Sequence, residues 1–145
     1  MLVLRCIFLV GAFLSVAACE AQRSSYEGFS SGTLAPKFVT VEKFNDANFM
    51  REVQFSVRPV VVDCGAPWCG PCRSMAPVVE DLAADYGGTV RFGKLDITTS
   101  PRVARQYAVS ALPAFLIFKN GRVVQRVIGA QSKQNLKNMI DAAVR

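Results

Sequence analysis

Strand and helix patterns alternate along the chain from Lys37 onward, which restricts the fold to one class. The β-branched run Val60-Val61-Val62 is typical of a buried central strand, and residues 69–86 carry apolar side chains at helical spacing. The other predicted elements are strands at 38–40, 90–97, 114–118 and 123–128, and helices at 44–53, near 101–107 and after 132. The order β-α-β-α-β-α-β-β-α predicts an α/β fold with a central mixed β-sheet flanked by helices.

Local turn residues support several of these boundaries. Gly87-Gly88 is expected to end the long helix, and Asn120-Gly121 is a strong signal for a hairpin between the last two strands. Ser132 is a favourable N-cap for the last helix. Pro77 lies inside the long predicted helix and is expected to kink it. We therefore expect the strands of the βαβ units to be parallel and those of the hairpin to be antiparallel.

The first residues have the pattern of a targeting segment. Residues 7–18 are almost wholly apolar, follow Arg5, and are too few for an ordinary membrane span. The stretch Val-Ala-Ala-Cys at 16–19 resembles a bacterial lipobox, in which Cys19 is lipidated and becomes the new N-terminus. The prediction is a signal peptide over 1–18, a lipid-anchor cysteine and flexible linker over 19–36, and a folded domain over 37–145. A plain cleaved signal, giving a soluble secreted protein, and a mitochondrial presequence are the alternatives.

Composition excludes several mechanisms. The chain has no histidine, so a Ser-His-Asp triad, a Cys-His pair and a histidine-ligated metal site are ruled out. Its formal charge is +6, but the basic residues are spread out and form no nucleic-acid motif. We expect no nucleic-acid partner, no metal, no bound cofactor and a monomeric protein.

Two cysteines, Cys69 and Cys72, are separated by Gly70-Pro71 at the start of the long predicted helix. The unpaired N–H groups and the dipole of a helix N-terminus favour a negative charge, so the Cys69 thiolate is stabilised without a histidine base. Cys72 falls one turn further in, where it is shielded yet able to close a disulfide. This arrangement predicts Cys69 as the attacking thiol and Cys72 as the resolving thiol in disulfide exchange.

The segment Val60 to Cys72, ending in Trp68-Cys69-Gly70-Pro71-Cys72, closely resembles the thioredoxin active-site segment. Ala111-Leu112-Pro113 followed by Phe118-Lys119-Asn120-Gly121 resembles the later thioredoxin signature, and the resemblance covers the chain from about Phe38. It implies the thioredoxin fold and thiol-disulfide oxidoreductase activity. It also implies that the Gly70-Pro71 pair makes the site reducing.

The same resemblance assigns roles to further residues. Asp63, a charged residue in an apolar strand, would accept the proton of Cys72 through water, and Lys94 matches a family lysine near it. Leu112, Pro113 and Gly129 would line the substrate groove, with Pro113 in a cis peptide bond. Trp68 is expected to shield the site and contact substrate. Pro77 is expected to be structural.

The chain departs from the family at the two residues after Asp63. Thioredoxins usually carry an aromatic pair there, whereas this chain has Cys64 and Gly65. The loss of bulk at Gly65 is expected to loosen packing beside the dithiol. Cys64 should point to the opposite face of the strand from Asp63 and be a buried, unreactive thiol.

The sequence thus predicts an extracytoplasmic, periplasmic protein-disulfide reductase that touches a membrane only through its lipid anchor. Its partners would be disulfide-containing proteins and a membrane or soluble thiol donor of electrons. Two alternatives stay open at this point. One is an oxidant or isomerase built on the same site, and the other is a binding module in which redox chemistry is secondary.

Overall fold

The computed structural model describes residues 40–145, and the order of elements there is the predicted one. The strands are β1 (Glu42–Phe44), β2 (Val60–Gly65), β3 (Arg91–Asp96), β4 (Ala114–Lys119) and β5 (Arg122–Ile128). A short π-helical segment (Met50–Gln54) precedes β2, and the other helices are α1 (Gly70–Tyr86), α2 (Pro101–Gln106) and α3 (Lys133–Val144). Within this range no helix has both the length and the hydropathy that crossing a membrane requires.

One five-stranded mixed sheet forms the centre of the domain, as predicted. The strand order is β1-β3-β2-β4-β5. β1 and β2 both pair with β3 in parallel, whereas β4 runs antiparallel to β2 and to β5. β2 therefore lies in the middle of the sheet, and its residues 60–64 are all buried. This burial explains the run of three valines with which β2 begins and makes Asp63 the exception in the strand.

The core lies on both faces of the sheet. On one face the strands pack against α1 and α3, through a cluster that contains Val61, Phe92, Phe115, Val79, Leu82, Leu136 and Ile140. On the other face they pack against the π-helical segment and α2, through a cluster that contains Val60, Val62, Cys64, Leu116, Phe49, Val53 and Val103. The two-sided covering is what a sheet with parallel βαβ units requires.

The first two predicted elements are shifted in the structure. Thr40 has no regular structure, Phe38 and Val39 lie outside the described residues, and the first strand is Glu42–Phe44 instead. The predicted helix over 44–53 is reduced to Met50–Gln54. The Asn45 side chain accepts hydrogen bonds from the backbone N–H groups of Ala47 and Asn48, at 2.9 and 3.0 Å. Such a local side-chain turn competes with a helix and delays its start.

The helical spacing of Phe44, Ala47, Met50 and Val53 predicts that these four side chains share a buried face, and this is wrong at two of the positions. Ala47 is exposed and Met50 is 58% exposed, whereas Phe49 and Val53 are buried. The aromatic ring of Phe49 packs edge-on against Phe118 of β4. The packing of this ring on the sheet therefore determines which face of the segment is buried, and the spacing of apolar residues counted from Phe44 does not.

Both ends of α1 follow from its sequence. Cys69 is its N-cap in an extended conformation, and Pro71 occupies the first turn, where a missing N–H costs nothing. Gly87 ends the helix in the left-handed region, with φ of 53°. Pro77 lies inside α1, as predicted. The strand-to-helix junction at Cys69 therefore brings the dithiol to the carboxyl end of β2.

The β4–β5 hairpin turns at Asn120-Gly121, both with positive φ, as predicted. Gly121 has a second constraint, because a Cβ atom built on it would lie 2.4 Å from the backbone oxygen of Gln54. The turn thus packs directly on the segment that leads into β2.

Replacing Gly121 with alanine should therefore cost more than backbone strain alone. We expect Gly121→Ala to lower the free energy of unfolding by about 3 kcal/mol or more, and Gly87→Ala, which has positive φ but nothing within 4 Å of the new Cβ, by about 1 kcal/mol. Urea unfolding of both variants checks this. Equal losses would show that the close approach to Gln54 does not matter.

Candidate functional site

Cys69 and Cys72 form a disulfide at the N-terminus of α1, with their Cα atoms 5.3 Å apart. The Cys69 sulfur accepts a hydrogen bond from the Cys72 backbone N–H at 3.2 Å. Cys72 is shielded, as predicted, but Cys69 is no more exposed: the exposed fractions are 9% and 5%. The two cysteines differ in surroundings, since each lines a different cavity.

The cavity beside Cys72 has a volume of about 270 Å³ and is lined by Asp63, Gly65, Arg73 and Lys94 among others. Asp63 is only 5% exposed, and its Oδ1 atom has no hydrogen-bond partner within residues 40–145. Burial raises the pKa of the Asp63 carboxyl to about 6, and attraction to Lys94 opposes this rise. The cavity is large enough for water, so a proton can pass between Asp63 and Cys72 through it.

Lys94 lies on β3 in direct register with Asp63 on β2. Its Nζ atom is 3.2 Å from Oε1 of Glu80 on α1, and both side chains are largely exposed. An exposed ion pair of this kind adds little stability. The effect of Lys94 on the site is therefore electrostatic, through its attraction to the carboxylate of Asp63.

Gly65 forms part of the wall between the cavity and the dithiol. A Cβ atom built on it would lie 3.3 Å from Cβ and 3.5 Å from Sγ of Cys72. A side chain at this position would therefore press against Cys72 and occupy the cavity that Asp63 faces. The glycine that replaces the usual aromatic residue leaves this space open.

Cys64 belongs to the opposite face of the sheet from Asp63, as predicted. It is fully buried among Val60, Val62 and Leu116, and it is the free cysteine of the described residues. Burial and the neighbouring Asp63 carboxylate raise the pKa of the Cys64 thiol to about 12. Because the thiolate is the reactive form, Cys64 is unsuited to exchange chemistry near neutral pH.

The cavity beside Cys69 is a groove of about 350 Å³ on the surface. It is lined by Trp68, Cys69, Gly70, Pro71, Ile97, Val109, Ser110, Ala111 and Leu112. The Trp68 side chain is 70% exposed, which places it at the surface of the groove instead of in the core. We call this cavity the dithiol groove.

The Leu112-Pro113 bond at the groove is cis, as predicted. Within residues 40–145 the backbone of Leu112 makes no hydrogen bond to another backbone group. Gly129 lies beside Pro113, because its N–H donates to the Pro113 carbonyl at 2.8 Å. An extended segment of another protein can pair with the free backbone of Leu112 as an added strand.

Several residues that line the two cavities were not singled out from the sequence. Ile97 follows the carboxyl end of β3, Val109 and Ser110 precede the Ala111-Leu112-Pro113 motif, and Arg73 follows Cys72. The sequence signal that could have identified Arg73, Val109 and Ser110 as lining residues is their position next to recognised motifs. Pro77 is exposed on α1 and lines neither cavity, and Cys19 lies outside the described residues.

The raised pKa of Asp63 has a measurable effect on stability. Its carboxyl is protonated in both states below its ordinary pKa of 3.8. Between that pKa and about 6 the carboxyl is ionised in the unfolded chain and still protonated in the folded protein, so the free energy of unfolding falls by up to about 3 kcal/mol across this range. The loss is small near pH 4 and complete by about pH 7. Asp63→Asn cannot ionise, so it should stabilise the oxidised protein by about 1–3 kcal/mol more at pH 8 than at pH 4.

Urea unfolding of the oxidised protein across this pH range measures the effect. Asp81→Asn, which makes the same change at an exposed carboxylate of α1 that faces Lys133 and not Lys94, is the matched control and should follow the wild-type pH dependence. A gain from Asp63→Asn that is the same at pH 4 and pH 8 would contradict the burial of a costly charge at this position.

Comparison with known proteins agrees with this geometry. The family model described as Thioredoxin matches residues 40–142. The chain is 46% identical to Thioredoxin 1 of Synechococcus elongatus over 96 residues, which is 66% of this chain and 90% of that protein. It is 42% identical to a thioredoxin of Staphylococcus aureus over 103 residues, which is 71% of this chain and 97% of that protein.

The matched region contains the mixed sheet, the helices around it and the Cys69–Cys72 pair at the start of α1. These are the features that the thioredoxin fold and thiol-disulfide exchange require. The chain belongs to the thioredoxin family of thiol-disulfide oxidoreductases.

Proposed function

We propose that this protein reduces disulfides in other proteins and works outside the cytoplasm. The reducing direction is inferred from the surroundings of Cys69, which offer little stabilisation to a thiolate. The Cys69 sulfur accepts one hydrogen bond, from the Cys72 N–H, and among the described residues no charged side chain lines the dithiol groove beside it. A dithiol whose reduced form gains little stabilisation gives up its electrons more readily than one whose thiolate is strongly stabilised.

The Asp63 carboxylate acts in the same direction. It lines the same cavity as Cys72, and as an anion it disfavours a second negative charge on the dithiol. The helix N-terminus of α1 supplies the opposing, favourable effect on Cys69. The balance keeps Cys69 nucleophilic without making the disulfide a strong oxidant.

The proposed cycle starts from the dithiol. The Cys69 thiolate attacks one sulfur of a substrate disulfide, which breaks that bond, forms a mixed disulfide and releases the other substrate sulfur as a thiolate. Cys72 then loses its proton toward Asp63 through water and attacks the Cys69 sulfur. The second substrate sulfur leaves as a thiolate, and the Cys69–Cys72 disulfide remains. A thiol donor, in a membrane or soluble, must reduce it again.

The reduction potential of the Cys69–Cys72 pair tests this direction. Trp68 is the only tryptophan of the chain and lines the dithiol groove, so its fluorescence in defined thiol–disulfide buffers reports the redox state. We expect a reduction potential of about −270 mV for this pair. A value near about −120 mV would instead identify a disulfide donor.

The double variant Cys69→Ser/Cys72→Ser separates redox chemistry from simple binding. It should lose all protein-disulfide reduction and unfold cooperatively, like the reduced wild-type protein. If it still carries out the full biological function, the domain is a binding module and the reductase proposal is wrong.

The extracytoplasmic location rests on the first residues of the sequence. The apolar run at 7–18 after Arg5, followed by Val-Ala-Ala-Cys, supports cleavage before Cys19 and lipidation of that cysteine. The linker at 20–36 would then reach roughly 20–25 Å and hold the domain close to a membrane surface. We expect mass spectrometry of the mature protein to find a diacylglyceryl group on Cys19. An unmodified N-terminus at Cys19 or later would leave only a soluble secreted protein.

A further inference from the structure

The carboxylates of the described residues are almost all engaged, and none is free at the dithiol groove. Most of them form ion pairs: Glu42 and Glu52 with Arg91, Glu80 with Lys94, Asp81 and Asp85 with Lys133, and Asp141 with Lys137. Asp46 accepts hydrogen bonds from backbone N–H groups at the start of α2, and Asp96 from Thr98. Asp63 is buried in its cavity.

Three exposed arginines lie at the two cavities next to the dithiol groove and have no carboxylate partner within residues 40–145: Arg73 lines the cavity beside Cys72, and Arg105 and Arg126 lie at the cavity that contains Ala108. Arg73 donates to the carbonyl of Pro67, the residue before Trp68, at 2.9 Å. Arg126 donates to the carbonyl of Ala108 at 3.3 Å. Arg105 lines a neighbouring cavity of about 380 Å³ that shares Val109 and Ser110 with the dithiol groove. We call Arg73, Arg105 and Arg126 the cationic rim.

The hydrogen bonds of the cationic rim hold its charges in place without neutralising them. A guanidinium group has five N–H donors, so Arg73 and Arg126 each keep several donors after pairing with one carbonyl. A carboxylate is the acceptor that matches such donors in a bidentate geometry. Fixed, unpaired cations around a groove also attract an anionic partner before contact, which raises its association rate.

We propose that the cationic rim selects protein substrates that carry acidic side chains beside the cysteine of their disulfide. This inference rests on the proposed reductase function and names its substrate class. An extended segment can pair with the free backbone of Leu112 while carboxylates that flank its cysteine reach the guanidinium groups of the cationic rim in the neighbouring cavities. The groove shape favours such a segment over a flat lipid surface.

Three peptides of equal length test the proposal, each with one internal disulfide flanked by Glu, Gln or Lys. The reduced full-length protein is mixed with each peptide, and the second-order rate constant is followed by Trp68 fluorescence. At low ionic strength we expect the Glu peptide to react about tenfold faster than the Lys peptide. The difference should shrink to about twofold near 1 M salt, where screening acts over about 3 Å.

Two matched variants assign this selectivity to the cationic rim. Arg105→Gln/Arg126→Gln should reduce the Glu-to-Lys rate ratio to about threefold or less at low ionic strength. Lys43→Gln/Arg122→Gln removes the same net charge from exposed positions on β1 and at the hairpin end of β5, and it should keep the wild-type ratio. An unchanged ratio in the first variant, or an equal loss in both, would overturn the role of the cationic rim.

The wild-type rates separate this inference from the function on which it rests. If no peptide is reduced, the reductase proposal fails and this one fails with it. If all three are reduced at equal rates at low salt, reduction stands and the acidic-substrate proposal alone is wrong. Equal rates together with binding to phosphatidylglycerol vesicles that Arg105→Gln/Arg126→Gln abolishes would assign the cationic rim to a membrane surface instead.

Discussion

The burial of β2 between β3 and β4 is the constraint from which the site follows. Side chains alternate along a strand, so Asp63 and Cys64 must point to opposite faces of a sheet that is covered on both sides. One face then receives a carboxylate that it cannot fully solvate, behind the first turn of α1. The other receives the thiol of Cys64, whose pKa is raised by burial to about 12. Asp63 is the one of these two residues that shares a cavity with Cys72, and the chemistry of the site depends on this placement.

The junction between β2 and α1 adds the second element. Cys69 is the N-cap of α1, so its sulfur takes the position where helices accept hydrogen bonds from their unpaired N–H groups. In a chain without histidine, this is the available way to favour a thiolate. Gly65 leaves a cavity on the Cys72 side, and the loop before Pro113 forms a groove on the Cys69 side. The two cysteines of one disulfide therefore open to different surroundings.

Sequence reasoning succeeded where one local rule decided the outcome. The helix boundaries at Cys69 and Gly87, the hairpin at Asn120-Gly121 and the cap at Ser132 all follow from residue types that suit one backbone geometry. It failed over residues 38–53, where short apolar patterns allowed more than one register. There the turn at Asn45 and the packing of Phe49 on the sheet decided the structure.

The residue types and their spacing were sufficient to predict the α/β order, the reactive pair Cys69–Cys72 and the opposed faces of Asp63 and Cys64, because each depends on contacts within a few positions of the chain. Only the tertiary structure decided the unpartnered Oδ1 atom of Asp63, the open cavity at Gly65 and the placement of Arg73, Arg105 and Arg126 at the cavities next to the dithiol groove. Those features join residues that are far apart in sequence, and distances between such residues exist only once the sheet has formed.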